Sequence, residues 1–188
     1  MDALSNDLPT PPDRRIARMP AVIVLMGVSG SGKTTIGRLL AAAVGHEFHD
    51  ADHYHPPENV ALMRQGIPLD DEKRAPWLAR LRELIDATVA ERRGIVLACS
   101  ALRRVYRERL GTDRPGIRLV HLDGAEPLLR ERLEQRTGHF MPASLLASQC
   151  ALLERPSAAE AAVTVDVAAP ADAVVADIVA ALADRSCP

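Results

Sequence analysis

Short apolar stretches alternate along the chain with longer segments in which apolar residues recur every three or four positions. The short stretches are rich in β-branched residues and predict strands over residues 21–26, 47–51, 94–100, 117–122 and 161–167. The longer segments predict helices over residues 33–44, 57–65, 72–91, 102–110, 126–136, 142–154 and 171–183. Strands separated by helices favour a parallel sheet, and therefore the α/β class.

The first 20 residues lack this periodicity and contain four prolines among polar residues, which predicts a disordered N-terminal extension. Residues 21–188 are expected to form a single domain. The net charge of −2 argues against a dedicated nucleic-acid binder, and no apolar run approaches the roughly 18 residues of a membrane span. Three scattered cysteines and the absence of a signal-peptide pattern favour the cytoplasm.

The first predicted strand leads into a glycine-rich segment, residues 27–34, that matches GxxxxGK[ST] and opens a predicted helix. Backbone N–H groups of such a loop surround a phosphate, and the helix N-terminus adds partial positive charge. Lys33 is expected to reach the β- and γ-phosphates of a bound nucleotide, and the Thr34 hydroxyl to bind Mg²⁺. The predicted nucleotide-binding residues are Gly27, Val28, Ser29, Gly30, Ser31, Gly32, Lys33, Thr34 and Thr35.

The base-reading NKxD segment of a GTPase is missing, since the only asparagines, Asn6 and Asn59, are not followed by lysine.

Two acids, Asp50 and Asp52, come at the end of the second predicted strand, where alternation places them on the same side. A small-molecule kinase needs a carboxylate for the magnesium shell and another near the acceptor hydroxyl. We assign Asp50 to the first role and Asp52 to the second; the alternative is that they cap the following helix or are solvated residues of a loop.

Four histidines between residues 46 and 55 raise the alternative of a zinc site, but Pro56 and Pro57 break any helix that would present them four residues apart.

Arg132 and Arg136 share one face of the predicted helix 126–136. In a kinase such a pair suits a lid that closes over ATP and stabilises charge on the transferring group. A charged helix surface and substrate contact are equally compatible with the group Arg103, Arg104, Arg107 and Arg109.

Residues 26–35 (MGVSGSGKTT), 50–59 (DADHYHPPEN) and 63–78 (MRQGIPLDDEKRAPWL) carry the most informative motifs. The first is common to many kinases and the other two are more specific. Together they resemble the gluconate kinases, P-loop kinases close to the shikimate kinases, over about residues 22–182. The resemblance implies an α/β, three-layer α/β/α P-loop kinase fold with a five-stranded parallel sheet and a mobile helical lid at about residues 130–145.

This resemblance also implies ATP-dependent phosphorylation of D-gluconate at its terminal hydroxyl, with Mg²⁺, by a cytoplasmic homodimer. It implies catalytic roles for Lys33, Asp52, Arg132 and Arg136, with Asp52 as the base. The substrate contacts that it implies are Asp52, His55, Arg74, Arg103 and His139. Two alternatives stay open, a kinase for another small hydroxy acid such as shikimate, and an ATP-binding regulatory module without turnover.

Overall fold

The computed structural model describes residues 19–65, 67, 69–135 and 144–184. The predicted N-terminal extension lies outside these residues except for its last two positions. Much of the predicted lid, including Arg136 and His139, also lies outside them. In the described part of the chain, no helix is both long enough and apolar enough to cross a membrane.

Five parallel strands form one sheet in the order β2-β3-β1-β4-β5. Their bounds are β1 Val22–Met26, β2 Glu47–Asp50, β3 Ile95–Ala98, β4 Ile117–Asp123 and β5 Val163–Asp166. Strand β1 lies between β3 and β4, so Val24 pairs with both Leu97 and Leu119. The loop that leaves β1 therefore opens at the point where the strand order reverses, which is where parallel α/β sheets bind ligands.

Seven helices of the described residues surround the sheet, with the bounds α1 Lys33–Val44, α2 Pro57–Arg64, α3 Asp71–Ala90, α4 Arg104–Leu110, α5 Glu126–Glu134, α6 Ser144–Leu152 and α7 Ala171–Asp184. The predicted strands and helices are all present, and the ends that fall within the described residues differ from the predicted ones by at most two residues. The parallel sheet and the α/β class are confirmed.

Alternation along each strand divides the core into two clusters, one on each face of the sheet. In β1, Ile23 and Leu25 face a cluster formed with α1 and α7, whereas Val22, Val24 and Met26 face a cluster formed with α3 and α4. Helix α7 contributes the buried stripe Val174, Val175, Ile178 and Leu182 to the first cluster, as the pattern predicts. Helices on both faces of one sheet make the three layers.

Candidate active site

The glycine-rich loop fits tightly between β1 and α5. Gly30 has φ +83°, and a Cβ atom there would lie 2.7 Å from the Leu129 carbonyl oxygen, so the position requires glycine. Helix α1 begins at Lys33, and its N-cap, Gly32, supplies no capping side chain. A helix N-terminus without a capping side chain presents partial positive charge, which fits a phosphate.

The Lys33 ammonium lies over this loop and donates hydrogen bonds to the carbonyl oxygens of Gly27 and Val28, at 2.9 and 3.0 Å. Cys99, immediately after β3, lies near several charged side chains of the site. Burial raises the pKa of its thiol to about 12, and the charges of Asp52, Lys33 and Asp50 act on it as well. The two predicted carboxylates and the lysine thus converge at one end of the sheet.

Asp50 links the phosphate loop to the second strand. The Thr34 hydroxyl donates to Asp50 Oδ2 at 3.4 Å, while Asp50 Oδ1 accepts a hydrogen bond from the Asp52 N–H at 3.1 Å. A hydroxyl and one carboxylate suit Mg²⁺, which keeps several waters and takes further oxygens from substrate phosphates. Among the described residues, no group of three or more His, Cys, Asp or Glu side chains could hold a metal ion.

The expected strand alternation from Asp50 to Asp52 is wrong. Strand β2 ends at Asp50, and Ala51–Tyr54 form a 3₁₀ helix of which Asp50 is the N-cap. The chain turns here because the Asp50 side chain satisfies the Asp52 N–H, which is the capping that the alternative interpretation expected. Asp52 is exposed in the first turn of this helix, still at the carboxyl end of the sheet.

Trp77 of α3 stabilises this turn. Its indole N–H donates to the Ala51 carbonyl at 2.8 Å, and the His55 ring stacks on it with centroids 4.3 Å apart. Burial, and then the charge of Arg74, lower the pKa of His55 to about 4, so this histidine is neutral at pH 7. His55 Nδ1 is buried and finds no hydrogen-bond partner within the described residues, which makes it suited to a substrate hydroxyl.

Arg74 and Arg103 meet around Tyr106, a residue that sequence reasoning missed. Arg74 Nη1 donates to the Tyr106 hydroxyl at 2.9 Å, and the two guanidinium carbons lie 5.4 and 5.3 Å from the ring centroid. The carboxylate of Asp71 accepts from Tyr106 at 2.5 Å and from Arg103 at 2.9 and 3.0 Å. These hydrogen bonds, that of Tyr106 first, lower the pKa of Asp71.

The structure also describes Arg107, Arg132 and Thr35 among the predicted residues. Arg107 is neither a surface residue nor a substrate contact, because it is 1% exposed and pairs with Glu160 at 2.5 Å. Arg132 donates to the Val167 carbonyl at 2.7 Å, beyond β5, and its role in a lid stays a prediction. Thr35 is exposed on α1.

A glycine loop at the switch point, a lysine over it and two carboxylates beside it define a P-loop phosphotransferase for small molecules. The family model described as shikimate kinase matches residues 29–183. Gluconokinase from Gluconobacter oxydans is 50% identical over 137 residues, which cover 73% of this chain and 77% of that protein. The chain belongs to the gluconokinase family.

Solved structures agree. A gluconokinase from Sinorhizobium meliloti superposes with a TM-score of 0.80 at 46% identity, covering 90% of this chain and 95% of that one. Shikimate kinase from Acinetobacter baumannii matches with a TM-score of 0.61 at 21% identity, over 94% of this chain and all of that one, which shows the fold alone. The three-layer P-loop kinase fold is confirmed.

Proposed function

We propose that this protein transfers the γ-phosphoryl group of ATP to the terminal hydroxyl of D-gluconate. The observation that carries the acceptor is Arg74, whose guanidinium makes no ion pair with a carboxylate in the described part of the chain and lies beside neutral His55. Gluconate carries a carboxylate at one end and the reacting hydroxyl at the other. Relatives named gluconokinase, at 44–50% identity, support the same acceptor.

The residues take complementary roles in the proposed reaction. Arg74 binds the substrate carboxylate, and Arg103, already paired with Asp71, supports it across Tyr106. The Asp52 carboxylate accepts the proton of the terminal hydroxyl. At the same time the hydroxyl oxygen bonds to the γ-phosphorus, and the bond between that phosphorus and ADP breaks. Lys33 stabilises the charge on the phosphoryl oxygens.

Thr34 and Asp50 are the proposed ligands of Mg²⁺, which neutralises phosphate charge when bound. We further propose that Arg132 and Arg136 stabilise the transferring group from a lid, and that His139 contacts substrate with His55. A homodimeric, cytoplasmic enzyme is part of the same proposal.

An acceptor panel tests the proposal. ADP release is measured with gluconate, shikimate, other hydroxy acids and an uncharged sugar, each at several concentrations. Strong stimulation by gluconate is expected. Stimulation by shikimate without any by gluconate would overturn the acceptor, and ATP binding without turnover on any acceptor would point to a regulatory module.

A further inference from the structure

Gln149 on α6 contacts the phosphate loop from outside it. Its carboxamide oxygen accepts a hydrogen bond from the Ser29 N–H, with the two atoms 2.6 Å apart, and the residue is half-buried. The neighbouring Ser31 N–H instead turns inward and donates to the Val28 carbonyl at 3.3 Å. The Ser29 end of the loop is therefore held by a side chain 120 residues away in the sequence.

Helix α6 is also anchored near Arg103, on the side of the site where the substrate is proposed to bind. Glu154, two residues beyond the helix, accepts from the Arg104 N–H at 2.6 Å, and its own N–H donates to the Leu102 carbonyl at 2.9 Å. The Glu154 carboxylate also lies 3.7 Å from Arg103 Nε. Leu146, on the helix itself, is buried in the core. These contacts give Gln149 a fixed position relative to the loop.

We propose that Gln149 is a positioning residue for phosphoryl transfer, which fixes the Ser29 end of the loop in the shape that ATP requires. This inference rests on the proposed function. Donors that are already arranged stabilise the developing charge without reorganising, so a loop that loses this anchor transfers the phosphoryl group more slowly. Small misplacements of a reacting group are enough to slow catalysis markedly.

Two substitutions at one position separate anchoring from packing. Gln149→Leu removes the acceptor and is expected to lower kcat about tenfold, the scale of one lost hydrogen bond. Gln149→Glu keeps an acceptor oxygen, so kcat at saturating ATP stays close to wild type. Its added negative charge beside the phosphate loop weakens binding of ATP several-fold, and this effect shrinks as salt is raised. Gln65→Leu, at an exposed glutamine after α2, is the control and leaves both quantities unchanged.

Steady-state kinetics, titrations with ATP and ADP, and thermal unfolding supply the readouts. Wild-type kcat in Gln149→Leu would overturn the inference. Equal loss of kcat in Gln149→Leu and Gln149→Glu, with an equal fall in Tm, would also overturn it, because Gln149 would then be a packing residue. Absence of gluconate-dependent turnover in the wild-type protein would instead contradict the proposed function, while the nucleotide titrations still test the anchor.

Discussion

Trp77 donates its indole N–H to the carbonyl oxygen of Ala51, the residue between the two carboxylates of the site. Both partners are buried, with Trp77 5% exposed and Ala51 fully enclosed. A hydrogen bond in this position fixes the backbone from which Asp50 and Asp52 project. Helix α3 therefore controls the geometry of the acids as well as covering one face of the sheet.

Replacing Trp77 with Phe tests this control. The variant keeps an aromatic ring but leaves the buried Ala51 carbonyl without its donor, which is expected to lower the free energy of unfolding by about 1–3 kcal/mol and to reduce kcat. Urea unfolding is followed by circular dichroism, since Trp77 is the only tryptophan. An unchanged unfolding free energy would show that the hydrogen bond contributes nothing.

The two acids are separable by matched amide substitutions. Asp52→Asn is expected to lower kcat by about two to four orders of magnitude, the size of a lost general base, with little change in ATP affinity. Asp50→Asn keeps an oxygen to cap the Asp52 N–H, since asparagine is an equally good N-cap, and mainly removes charge beside Thr34. We expect it to raise the Mg²⁺ concentration needed for half-maximal rate. Kinetic titrations with Mg²⁺ measure both effects. If Asp50→Asn gave the large loss of kcat and Asp52→Asn raised the Mg²⁺ requirement, the roles of base and metal ligand would be exchanged.

Local patterns were sufficient to predict the fold and the phosphate loop, because strand alternation, helical periodicity and the GxxxxGKT segment are each contained within a few residues. The turn after Asp50 was mispredicted, since a capping side chain competes with strand geometry and leaves no periodic signal. Tyr106 was missed because it meets Arg74 from 32 residues away, and only tertiary packing brings them together. Neither alternative for Arg107, a charged helix surface or a substrate contact, is correct, because its charge is visible in the sequence and its partner Glu160, 53 residues away, is not.

Arg74 is expected to determine the affinity for the acid acceptor. Arg74→Met should raise KM for gluconate about ten- to a hundred-fold, the loss expected for a charged hydrogen bond, with KM for ATP unchanged. Arg74→Lys keeps the charge without the planar fork and should recover only part of this. Arg104→Met, at an exposed arginine paired with Glu108, is the control. A gluconate KM that stays at the wild-type value would remove Arg74 from the acceptor site.

His55 makes stability depend on pH in a defined window. Unfolded histidine titrates near pH 6.5, whereas the pKa of folded His55 is about 4. Between these values the unfolded chain binds a proton that the folded chain does not, so stability is lost as the pH falls from about 6.5 to 4. His55→Gln should remove this contribution. Unfolding free energies of both proteins are compared from pH 4 to 8, and a constant difference across that range would contradict the low pKa.

Breaking the buried pair Arg107–Glu160 is expected to destabilise the fold much more than breaking the exposed pair Arg104–Glu108 of α4. Arg107 also donates to the carbonyls of Ala101 and Leu102, each at 3.1 Å, just before α4. Arg107→Met leaves a largely buried carboxylate uncompensated and should cost about 3–5 kcal/mol. Arg104→Met, which breaks a surface pair with its helix neighbour, should cost under about 1 kcal/mol.

Urea unfolding of both variants and of the double variant Arg107→Met with Glu160→Gln checks this expectation. The double variant should recover part of the loss, because it removes the unpaired charge as well as the pair. Equal costs for Arg107→Met and Arg104→Met would mean that the buried guanidinium does not hold the β3–α4 connection in place. Arg103, which starts from that connection and reaches Tyr106, would then owe its position to Asp71 and Glu154 instead.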